Sequence, residues 1–101
     1  MHVRDLASAR AGDKGNTSNI VVVADDEPAY ARLEDWLTAD RVADRLSPLA
    51  DGPVTRYELP NVGALNFVVE GALAGGVTTS LRLDAHGKSL SFAVLGMSID
   101  D

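Results

Sequence analysis

The stretch NVGALNFVVEGALAGG, Asn61 to Gly76, decides how the rest of the chain is read. Val62, Leu65, Val69 and Leu73 recur at i, i+3, i+7 and i+11, the spacing of one helix face, and the pair Gly75 and Gly76 supplies a C-terminal stop. This predicts a well-buried helix, so the sheet must come from the segments on either side. Upstream, NIVVVA at 19–24 is a dense β-branched run apolar on both faces, the pattern of a covered or mid-sheet strand. VTRYELP at 54–60 alternates, with Tyr57 and Leu59 on one face and Arg56 and Glu58 on the other, and Pro60 closes it. Downstream, VTTSLRL at 77–83 and SLSFAVLGMSI at 89–99 flank the connector DAHGK, which reads as a hairpin.

At the N-terminus Val3, Asp5 and Ala7 alternate with Arg4, Leu6 and Ser8, which suits a short edge strand. Between the strands, DDEPAYARLEDWLT places acids and Pro28 at a helix start, with Tyr30, Leu33 and Leu37 as its buried stripe and Trp36 beside it. Thr38 can cap a second helix, ADRVADRLSPL, whose Val42, Leu46 and Leu49 follow helical spacing until Pro48 and Gly52 end it. The expected order is β-β-α-β-α-β-β. That is an α+β two-layer sandwich, ferredoxin-like with an added N-terminal strand.

The chain has 101 residues, enough for one core, and is expected to form a single domain over 1–101. Nine basic residues against fifteen acidic ones give a net charge of -6, which repels phosphate backbones and anionic lipid, so neither nucleic acid nor membrane is an expected partner. Cysteine is absent, which removes disulfides, thiolate metal sites and a cysteine nucleophile. No apolar leader opens the sequence, and a cytoplasmic location is expected. His2 and His86 have no second ligand at metal spacing, so no metal and no cofactor are assigned.

Chemistry concentrates in AGDKGNTSN, Ala11 to Asn19. Its glycines allow close backbone approach, Lys14 and neighbouring amides could hold an anion, and Asp13 and Asn16 could orient it. The same residue types also serve a connector that satisfies its own backbone. The lysine precedes the second glycine and a strand follows, so this is not a P-loop; a Gly-x-x-Gly loop of the RNA-binding KH type is disfavoured by the charge. A second cluster holds Asn61, Asn66 and Glu70. On a helix Asn66 and Glu70 share a face, where Glu70 is a candidate base and a buried Asn66 would brace the backbone of the 12–19 segment.

Three blocks in order, RxGDKGNxxNI from Arg10, ELPNxxALNFxxxGAL from Glu58 and SLRLDxxGK from Ser80, resemble the AtuA-like (acyclic terpene utilisation) family. In that family a segment of this size is the C-terminal ferredoxin-like part of a longer protein, and free-standing versions exist. The resemblance implies a context of branched acyclic terpenoid breakdown through acyl-CoA thioesters. Its motif positions are Arg10, Gly12, Asp13, Lys14, Gly15, Asn16 and Asn19, then Pro60, Asn61, Leu65, Asn66 and Gly71. Of these, Arg10, Gly12, Asp13, Lys14, Gly15, Asn16, Asn19, Asn61 and Asn66 are the candidate ligand-binding residues, and Asp13, Lys14 and Glu70 the candidate catalytic ones. The leading expectation is an accessory domain or small subunit that docks on a larger AtuA-like or CoA-ester-metabolising protein. A stand-alone lyase or hydratase acting on an acyl-CoA and a purely structural homo-oligomer are the alternatives; self-association is expected in any of these cases, from the edges of a small sheet.

Overall fold

The described part of the decisive stretch is a turn followed by a strand. The computed structural model describes residues 1–14, 17–46, 52–70 and 88–99, apart from the side chains of 13, 14, 88 and 89. In it Ala64–Glu70 is extended (β4) and pairs antiparallel with Thr17–Ala24 (β2) on one side and with Val54–Leu59 (β3) on the other. The reason lies in a spacing that both periods share. Leu65 and Val69 are four apart, which superposes them on a helix face and equally on a strand face, but Phe67 between them discriminates. It is fully buried with Leu65 and Val69, as period two requires, whereas a helix would turn it to the opposite side.

Gly63 removes the remaining freedom. The segment Pro60–Val62 makes one 3-10 turn and Gly63 closes it with φ 64°, a left-handed conformation that a helix through this point could not contain. The turn folds β4 back on β3 so that Leu59 pairs with Ala64. Ala24 N–H then donates to Gly63 O at 2.9 Å, tying the turn to the end of β2.

The second departure is at the C-terminus. Lys88–Leu95 (α3) is a helix where a hairpin strand was expected, because Leu90, Val94 and Met97 recur at helical spacing and are buried together. The expected strand at 77–83, the connector residues 84–87, the glycine pair at 75–76, and Leu49 and Leu73 lie outside the described residues.

At the N-terminus the alternation at 3–7 is not a strand. Val3–Asp5 is a 3-10 turn, fixed by Asp5 N–H to His2 O at 2.9 Å and by the Asp5 carboxylate, which accepts the His2 N–H at 2.8 Å. That second bond holds the Asp5 carboxyl below its ordinary range. The added N-terminal strand starts later, as Ala7–Lys14 (β1).

Glu27–Trp36 (α1) and Ala39–Leu46 (α2) form as their caps dictate. The Asp26 carboxylate accepts Ala29 N–H at 2.8 Å ahead of Pro28, and Thr38 Oγ1 accepts Arg41 N–H at 3.1 Å. The result is a four-stranded antiparallel sheet, order β1-β2-β4-β3, with three α-helices among the described residues. Ile20, Val22, Leu65, Phe67 and Val69 meet Leu33, Leu37, Val42, Leu46, Leu90 and Val94 in one core, so all three helices cover the same face of the sheet. The α+β, ferredoxin-like class therefore stands, with one helix and one strand exchanged within it.

Arg56 shows how β3 is oriented. Its Nη1 donates to Glu34 O at 2.8 Å and Leu37 O at 3.0 Å, satisfying carbonyls at the end of α1. This draws the arginine to the helix side and turns the apolar Tyr57 and Leu59 outward.

The Gly63 turn is open to direct test. Because a Cβ at Gly63 would meet no described atom within 4 Å, the effect expected of a side chain there is backbone strain. Gly63→Ala is expected to lower the stability to urea by about 1–2 kcal/mol, and Gly63→Asn by less.

Candidate functional site

Strand pairing brings the two polar blocks side by side. The residues of β2 and β4 that alternate with the core face away from the helices, and the register aligns them in cross-strand rows. One row runs Arg10, Val21, Asn66, Tyr57; the next runs Gly12, Asn19, Val68, Thr55. Arg10, Asn19 and Asn66 thus share the outer face of the sheet, with Asn19 and Asn66 on neighbouring strands in adjacent rows. Around them lie apolar side chains that solvent reaches, with Val23 38%, Leu59 41% and Tyr57 52% exposed.

The segment expected as a loop between the first two strands is mostly strand. Lys14 pairs with Thr17, Asp13 with Ser18 and Gly12 with Asn19. Gly15, Asn16 and the side chains of Asp13 and Lys14 are outside the described residues. Ser18 is fully buried, and its hydroxyl donates to Gly12 O at 3.1 Å, so this part of the block serves its own backbone.

Gly12 is different. It does not have a positive φ, and no described atom lies within 4 Å of where a Cβ would stand. Among the described residues β1 is an edge strand, and glycine at such a position admits close approach by another backbone.

Asn66 makes no hydrogen bond to the described residues of the 12–19 segment, and its buried Oδ1 accepts none among the described residues. A strand places that carbonyl between Val21 and Tyr57 on the outer face, where neighbouring backbone groups are already engaged in the ladder. Glu70 is exposed at the end of β4, opposite Thr17 in register.

Asn61 goes elsewhere. It lines an open cleft of about 460 Å³ with Asp26, Glu27, Tyr30 and Val62, at the end of the sheet opposite the β1–β2 turn. Burial pushes the Tyr30 phenol up, and the adjacent Glu34 carboxylate pushes it the same way. No group of three His, Asp or Glu residues suited to a metal occurs among the described residues.

A family model described as the AtuA ferredoxin-like domain matches residues 1–100. The chain belongs to this family. No curated protein and no solved structure matches it. Within this AtuA ferredoxin-like domain the motif residues therefore divide: Arg10, Gly12, Asn19 and Asn66 gather on or beside the outer sheet face, while Asn61 sits at the cleft. Val21, Val23, Tyr57 and Leu59 were not among the sequence candidates, although the alternation of VTRYELP already separated Tyr57 and Leu59 from Arg56. No described helix is long and apolar enough to cross a membrane.

An unpaired buried carbonyl costs about 1–3 kcal/mol, and valine suits a central strand. Asn66→Val is accordingly expected to raise the melting temperature, not lower it. A fall would mean that the amide supports the fold.

Proposed function

We propose that this AtuA ferredoxin-like domain is an accessory module. It docks through its outer sheet face on a larger AtuA-like polypeptide that handles acyl-CoA or carboxylate metabolites in branched acyclic terpenoid breakdown. One observation carries the reading: Arg10, Asn19 and Asn66, from two separate family blocks, lie on one sheet face with exposed Val23, Tyr57 and Leu59 and away from every described helix. Apolar side chains rimmed by hydrogen-bonding ones are the make-up of a protein interface, where the polar groups set register.

A further feature supports docking: Gly12, on β1 of the same sheet, has no described atom within 4 Å of where a Cβ would stand. Acyl-CoA chemistry would then reside in the larger partner.

The test mixes the domain with a long-form AtuA-like protein trimmed of its own ferredoxin-like part and follows assembly by light scattering. A stoichiometric complex is expected, and Val23→Asp and Tyr57→Asp, both exposed positions, are expected to abolish it while leaving the melting temperature within a few degrees. Absence of a complex overturns the reading. So does a homodimer that uses the same face and is broken by the same substitutions, which would assign the surface to self-association.

A further inference from the structure

On the opposite layer of the molecule, between the end of α1, α2 and the residues after α3, lies a pocket of about 220 Å³. It is lined by Trp36, Arg41, Asp44, Arg45, Met97 and Ser98. The protein carries a net charge of -6, yet this lining is net positive, with two guanidinium groups against one carboxylate. We infer that this pocket binds an oxyanion, a phosphate or carboxylate group of a small metabolite, between the guanidinium groups of Arg41 and Arg45.

The arginines are prepared for it in different ways. The Arg41 guanidinium carbon stands 4.5 Å from the centre of the Trp36 ring. Stacking engages the flat face of the guanidinium and leaves its N–H groups, which lie in the plane, free to donate. Arg45 is anchored through Nε, which donates to Ala93 O at 2.9 Å, and its terminal nitrogens donate to no described residue. Gly96 makes room for them: a Cβ there would stand 3.3 Å from Arg45 Nη2 and 3.3 Å from Phe92 O.

Trp36 supplies the aromatic wall, and its buried Nε1–H meets no acceptor among the described residues. Two fixed guanidinium groups against the single carboxylate of Asp44 leave this small pocket with an excess of donors, and an anion with several oxygens is the chemistry that answers it. Asp44 limits the charge and works against the anion. Its neutralisation should therefore tighten binding.

Trp36 is the only tryptophan, so its indole N–H gives one resolvable peak in a two-dimensional nitrogen–proton spectrum. Inorganic phosphate and acetate, titrated separately at constant ionic strength against sodium chloride, are expected to move that peak saturably. Arg41 is an exposed residue of α2, so Arg41→Gln should fold, and it is expected to weaken binding about tenfold, the effect of one charge-assisted contact. Asp44→Asn is expected to strengthen it. Saturation by phosphate alone assigns the pocket to phosphoryl groups, and saturation by both anions assigns it to oxyanions in general. A response no greater than that to chloride, or one unaltered by Arg41→Gln, overturns the inference.

Discussion

The antiparallel pairing of β2 with β4 is the constraint on which the rest depends. It places Ile20 opposite Phe67 and Val22 opposite Leu65, so four of the largest buried side chains form a continuous band across the middle of the sheet. Each such side chain contributes about 1.5–3 kcal/mol on burial, enough to make this seam the floor on which all three helices settle. The same register places the polar residues of the two family blocks. Because side chains alternate, fixing Ile20 and Phe67 toward the helices necessarily sends Asn19, Val21 and Asn66 to the other side.

That coupling explains why the polar blocks lie where they do. A glycine-rich, hydroxyl-rich segment looks like a ligand loop when read alone, but its pairing with itself consumes most of its backbone groups, and Ser18 closes on Gly12. What the ladder presents outward is the face with Arg10, Asn19 and Asn66. In our proposals this surface, with its exposed Val23, Tyr57 and Leu59, takes a polypeptide, and the small arginine pocket on the helix layer takes a single charged group.

Local signals in the sequence were dependable wherever one competing force acted. Asp26 with Pro28 and Thr38 marked helix starts through hydrogen bonds spanning only a few residues, and NIVVVA announced a central strand by being apolar on both faces. The misreadings share a cause. In residues 62–70 the spacing of four fits both periods, and in residues 89–97 alternation overlaps a helical repeat, so periodicity alone had no power to choose. Long-range pairing chose. β2 and β3 each offered an open edge to Ala64–Glu70, and the left-handed Gly63 aimed the chain between them.

By itself, then, the sequence determined the α+β class, the caps of α1 and α2, the central strand and the two family blocks, since each rests on residues close together in the chain or on motif identity. Only the tertiary structure decided which period Ala64–Glu70 obeys, which face of β3 is outward, and that Asn66 stands beside Asn19 instead of Asn61. Those outcomes depend on contacts between residues dozens of positions apart. Arg56 turns inward because carbonyls at Glu34 and Leu37 need donors, and nothing within the segment VTRYELP records that need.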